Sequence, residues 1–163
     1  RNATHHQYTA ASLPIWPSAL SSSALALCPK KATMKLGYTI IYVPNVGASL
    51  AFCEQAFGLT RRFLHESGTY GELATGETTL AFAAHELGDA NFPGGHVAAH
   101  TSPQPLGFEI GLVTDDVAGA HAKALAAGAT ELAAPVTKPW GQVVSYVRCP
   151  DGLLVELCTS IEG

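Results

Sequence analysis

Charge is scarce in this sequence, and what there is lies unevenly. Only 13% of the residues are Asp, Glu, Lys or Arg. Residues 1–33 contain no acid, only Arg1, Lys30 and Lys31. Residues 34–163 hold the other 6 basic residues and all 13 acids, a net charge of −7. Without a basic face the chain is not expected to bind nucleic acid, whose phosphates demand one. The acidic balance favours neutral or cationic ligands. Long apolar runs are missing too. No stretch approaches the roughly 18 residues of a membrane-spanning helix, so no membrane partner is expected. Cys28, Cys53, Cys149 and Cys158 show neither C-x-x-C spacing nor a histidine at zinc-finger distance. Buried free thiols in a reducing cytoplasm are the expectation. Gly94-Gly95 lacks the strand and helix of a phosphate loop. Ser67 shares strand parity with His65, but no third group orients that histidine, and Ser145 has no base beside it. A nucleophilic triad is therefore not expected.

What is present suffices for one domain and a tail. Hydrophobic residues make up 47% of the 163, enough to bury a core. Met34 is the single methionine, and a clean strand pattern begins just after it. Residues 1–33, rich in Ala and Ser and broken by Pro14, Pro17 and Pro29, are read as an N-terminal extension that is non-native or read-through. The domain is expected over 34–163.

That domain repeats itself. Tyr38–Val43 alternates as a β-branched strand, and Val46–Phe57 follows as a helix with Leu50, Cys53 and Phe57 on one face, stopped by Gly58. Glu109–Thr114 is a second such strand. Asp115-Asp116 then gives the helix Val117–Ala127 an acidic start, and Gly128 closes it. Tyr38 maps to Glu109 and Val46 to Val117, both at an offset of 71. Three strands follow each helix: Thr60–Ser67, Tyr70–Thr75 and Thr78–Ala84, then Thr130–Val136, Gln142–Arg148 and Leu153–Thr159. The fold class is α+β, with two tandem βαβββ modules (about 35–86 and 105–160) forming a curved mixed sheet around a cleft. A Gly/Pro/His-rich linker over 87–104 joins them. Strand parity turns Ile41, Val43, Leu80, Phe82, Phe108, Ile110, Val155 and Leu157 toward the helices. It turns Tyr38, Ile40, Tyr42, Ala81, His85, Glu109, Val113 and Glu156 toward the cleft.

Tyr38–Val43 with Ser49–Phe52 and Phe57-Gly58-Leu59, Phe108–Asp116 with Ala126–Ala129, and Pro150-Asp151-Gly152 with Leu154–Leu157 together carry a resemblance. The chain resembles the vicinal oxygen chelate superfamily, which includes glyoxalase I, bleomycin-resistance proteins and extradiol dioxygenases. Metal enzymes of that family draw ligands from the first and last strands of each module. The matching positions here are Tyr38, Ala81, Glu109 and Glu156. Two carboxylates are too few for an ordinary divalent site, so no metal cofactor is expected. If a divalent ion binds, Glu109 and Glu156 would hold it. Two acids facing one cleft repel and invite a cation.

The candidate ligand-binding residues are Tyr38, Tyr42, His85, Glu109, Trp140 and Glu156. His85 lies four residues beyond Ala81, roughly 13 Å at the usual strand rise. Trp140 sits in the loop Lys138–Gly141, placed to close over a ligand. Tyr38 and Tyr42 are amphipathic and suit a small-molecule pocket. The expected function is binding of a cationic or polar organic molecule in an acidic cleft, in the manner of bleomycin-resistance proteins. The alternatives are a metal-dependent glyoxalase-like lyase or isomerase, and a non-catalytic interaction protein with a filled cleft. The resemblance also implies a homodimer.

Overall fold

The computed structural model describes residues 34–161. The reading of residues 1–33 as an extension lies outside them. Two four-stranded mixed sheets are present, each with one parallel and two antiparallel strand pairs. The first module runs β1 (Tyr38–Val43), α1 (Val46–Phe57), β2 (Thr60–Leu64), β3 (Tyr70–Ala74) and β4 (Thr79–Ala84), in sheet order β1-β4-β3-β2. A connector follows, with α2 (His85–Asn91) and a 3-10 turn at Ala99–Thr101. The second module runs β5 (Ile110–Val113), α3 (Val117–Ala126), β6 (Thr130–Thr137), β7 (Val143–Arg148) and β8 (Leu154–Cys158), in order β5-β8-β7-β6. The sheets are not hydrogen-bonded to each other among the described residues. The modules meet through α1 and α3.

The expected βαβββ repeat is borne out, with strand ends shifted by a residue or more. β2 is shorter than expected because His65–Thr69 forms a turn. Ser67 Oγ sits 2.7 Å from His65 Nδ1 and 2.7 Å from Thr69 Oγ1 there. This is a local polar turn with no carboxylate to orient the histidine. The linker is not structureless, because its first residues wind into α2.

Capping explains the long helices. Asn45 Oδ1 accepts from Ala48 N at 2.9 Å, and Asp116 Oδ1 from Gly119 N at 2.8 Å, each satisfying an otherwise orphaned donor. The helix-facing side chains of both sheets join one core. Val43, Leu50, Leu73 and Phe82 come from the first module, and Val147, Val155 and Leu157 from the second. Opposite parity leaves the other side of each sheet open: Tyr38 is 58% exposed, Ile40 43% and Val113 66%. Phe108 departs from expectation. It precedes β5, lies outside the ladder and is 44% exposed.

Candidate functional site

Each module carries a tyrosine–carboxylate pair on its open face. In the second, Glu156 on β8 stands opposite Tyr146 on β7, and the tyrosine hydroxyl donates to Glu156 Oε1 at 3.0 Å. Glu109 lies just before β5, two residues ahead of Gly111, which is the register partner of Glu156. Burial, the hydrogen bond to Glu156 and the charges of Glu156 and Glu109 push the Tyr146 hydroxyl up to about 12. Burial and the same two carboxylates also raise the Cys158 thiol. Both acids therefore bear on one neighbourhood. Among the described residues, neither forms an ion pair with Lys, Arg or His.

The first module does this differently. Ala81 on β4 offers no ligand, but its register partner on β3 is Glu72. Tyr70 donates to Glu72 Oε1 at 3.0 Å, and Arg62 Nη1 to Glu72 Oε2 at 3.2 Å. Arg62 reaches this face because a β-bulge falls between Arg61 and Phe63, and a bulge re-aims the side chain it carries. Arg61 points the opposite way, toward Glu54 of α1, at 2.6 Å. Burial first, then Glu72, then Tyr38 raise the Tyr70 hydroxyl to about 12.

The six expected site residues fall into separate groups. Glu109 and Glu156 both bear on Tyr146 and Cys158. Tyr38 lies on the first module's open face near Tyr70. Trp140 is 65% exposed and lines a different recess of about 360 Å3 with Asp115, Gln142 and Ile161. His85 does not extend β4 as expected. It is the first residue of α2, and its Nδ1 lies 2.7 Å from His96 Nε2. Tyr42 packs on the same connector, with ring centroids 5.0 Å from His96 and 5.7 Å from Phe92. The strand termination after Ala84 moved His85 into the connector, where Tyr42 of β1 meets it.

Glu72, Tyr70, Tyr146 and Arg62 were missed. The first three were within reach, since alternation along β3 and β7 places them on the cleft side. Arg62 gave no signal, because a bulge is invisible to period-two counting.

Residues 35–157 match the family model "Glyoxalase/Bleomycin resistance protein/Dioxygenase superfamily". The chain belongs to this superfamily. Solved structures agree. A glyoxalase-related enzyme from Fulvimarina pelagi superimposes with TM-score 0.67 at 19% identity, covering 78% of this chain and 89% of that one. A glyoxalase/bleomycin resistance protein/dioxygenase family enzyme from Burkholderia phytofirmans PsJN gives 0.61 at 25% identity, covering 77% and 98%. TioX from Micromonospora sp. ML1 gives 0.58 at 17%, covering 77% and 98%. Among curated proteins, none matches this chain in sequence.

Many members of the superfamily hold a divalent ion, and the residues present fit one poorly. Of the four family positions, one is alanine and one a tyrosine. Glu72, the acid nearest the alanine, is already engaged by Arg62 and Tyr70. Among the described residues, no three His, Cys, Asp or Glu side chains gather as a metal requires.

Proposed function

We propose that this protein binds a small organic molecule bearing a positive charge, and that the second module's open face receives the cation between Glu109 and Glu156. One observation carries the reading: both acids bear on Tyr146 and Cys158, and among the described residues neither has a basic partner, whereas Glu72 has Arg62. Carboxylates without a counter-ion attract an incoming ammonium or guanidinium group, which adds charge-assisted hydrogen bonds. Cys158 and Tyr146 line the same neighbourhood and supply apolar and hydrogen-bonding surface. The protein works as a homodimer, in which the second copy covers the open faces. Exposed Tyr38, Ile40, Phe63, Val113, Leu132 and Val136 give that contact its apolar component. The thiols of Cys53, Cys149 and Cys158 are free and buried, in keeping with a cytoplasmic setting.

Titration calorimetry against a panel of quaternary ammonium, guanidinium and matched neutral compounds tests the reading. Cationic members should bind, and Glu156→Gln and Glu109→Gln should each weaken them about tenfold, or 1.4 kcal/mol. Equal binding of neutral analogues, or indifference to both substitutions, sinks it. A stoichiometric divalent ion lost in Glu156→Gln would replace it with the metal-dependent lyase or isomerase reading.

A further inference from the structure

The connector between the modules holds a cluster unrelated to the carboxylate face. His85 lies at its centre. Its ring is 4.9 Å from that of His96 and 5.3 Å from that of His100, and its Nδ1 is 2.7 Å from His96 Nε2. His96 Nδ1 faces Asp89 Oδ1 at 3.6 Å. His85 Nε2 is buried with no partner. Both sides of the connector are fastened. From β1, Tyr42 packs on His96 and Phe92. From β7, Arg148 Nη2 donates to the carbonyls of Ala99 and Ser102, each at 2.7 Å, on either side of His100 in the chain.

We propose that His85, His96 and His100 form a proton-operated latch that holds the connector closed near neutral pH and releases it on acidification. The hydrogen-bond chemistry dictates the direction. A contact between two imidazole nitrogens needs one donor and one acceptor. The geometry allows His96 Nε2 to donate to His85 while His96 Nδ1 faces Asp89. His85 then accepts through Nδ1 and keeps its hydrogen on the buried Nε2. A proton added to His85 must go to Nδ1, which turns two N–H groups against each other and breaks the bond. Further charge on His100 adds repulsion. The acids opposing it are Asp89 and Glu86, both on α2, while β1 contributes only the Tyr42 ring. Burial first, then His96 and His100, lower the His85 pKa against the pull of Asp89 and Glu86. A lowered folded-state pKa means that the closed form gives its full stability above the ordinary histidine value of about 6.5 and loses it as pH falls below that. Release uncovers Tyr42, which packs on His96 and Phe92 in the closed form.

Amide hydrogen exchange of the full chain between about pH 7.5 and pH 5 tests this, with rates corrected for their intrinsic pH dependence. Protection over residues 85–104 should fall about tenfold per pH unit once opening takes up one extra proton, while β3, β4, β7 and β8 stay protected. His96→Gln should flatten that dependence, and His100→Gln, at an exposed position, should reduce it if His96→Gln does not fold. His121→Gln should leave it intact, since His121 is paired with Glu131 at 2.8 Å on another element. Protection that is indifferent to pH, that falls in all strands together, or that falls equally in the His96 and His100 variants would overturn the latch. So would zinc raising the melting temperature of the wild type but not of His96→Gln, which would make the cluster a metal site instead.

Discussion

The two modules share one topology yet dispose of their charge in opposite ways. In the first, the acid stands on β3 and an arginine neutralises it. In the second, the acid stands on β8, a tyrosine holds it, and Glu109 adds a second negative charge nearby. Duplication preserved the cross-strand pair (Glu72 opposite Ala81, Tyr146 opposite Glu156) but not its chemistry. The first face is electrostatically complete within the chain. The second is not, and the proposed binding of a cation rests on that difference. Similar backbones thus carry an ion-paired acid in one module and acids without an ion pair, among the described residues, in the other.

The core is where the modules should behave most alike. Phe82 and Leu157 occupy equivalent places on β4 and β8, and both are almost fully buried. Phe82→Ala should cost about 4 kcal/mol and Leu157→Ala about 3. Both should appear in one cooperative urea transition, because both side chains belong to one core. Two separate transitions would break the picture of modules sharing a core.

The turns before β4 and β8 should differ more. Gly76 and Gly152 both have φ of 89°, a region where L side chains are strained. A Cβ at Gly76 meets nothing within 4 Å, whereas one at Gly152 would strike the backbone of Ala99, which belongs to the connector. Gly152→Ala should therefore cost about 3 kcal/mol and Gly76→Ala about 1. Equal losses in denaturant titrations would show that the connector is not seated on this turn.

Most of the fold was legible because it rests on local chemistry. Alternation in Tyr38–Val43, the acidic start of the second helix at Asp115-Asp116 and the helix stops at Gly58 and Gly128 all act over a few residues, and the repeat sets the two modules against each other. Strand parity places Glu156 opposite Tyr146, where β8 runs undisturbed, while Glu109 falls outside β5. It failed at His85, where the chain turns from strand into helix after Ala84. It failed again at Arg62, where one extra residue in β2 reverses the facing. Neither event leaves a mark in composition or spacing. Both depend on pairing with strands and side chains distant in the sequence.

Arg62 also supplies a middle-sized test of the contrast. The Glu72 side chain is only 10% exposed, so removing its cation leaves a carboxylate with Tyr70 alone. Arg62→Met should cost about 1–2 kcal/mol, and Glu72→Gln in the same chain should recover part of it. A loss that Glu72→Gln leaves untouched would mean that Arg62 serves by packing rather than by charge.

The smallest and sharpest effect lies in the tyrosines. The Tyr70 and Tyr146 hydroxyls both rise from 10.0 to about 12, chiefly by burial and next through the hydrogen bond to their own carboxylate. A raised folded-state value means that their stabilising contribution is complete below about pH 10 and fades as pH climbs toward 12. Glu156→Gln should bring Tyr146 part of the way back, because burial remains and Glu109 is still charged. Glu72→Gln should likewise lower Tyr70 only in part. Glu109→Gln distinguishes the modules: it should lower Tyr146, whose ionisation it opposes, and leave Tyr70 unmoved. Ultraviolet difference titration of the three single variants reads all of this directly. A Tyr146 midpoint unchanged by Glu109→Gln would separate Glu109 from Glu156, and the two faces would then each hold a single acid.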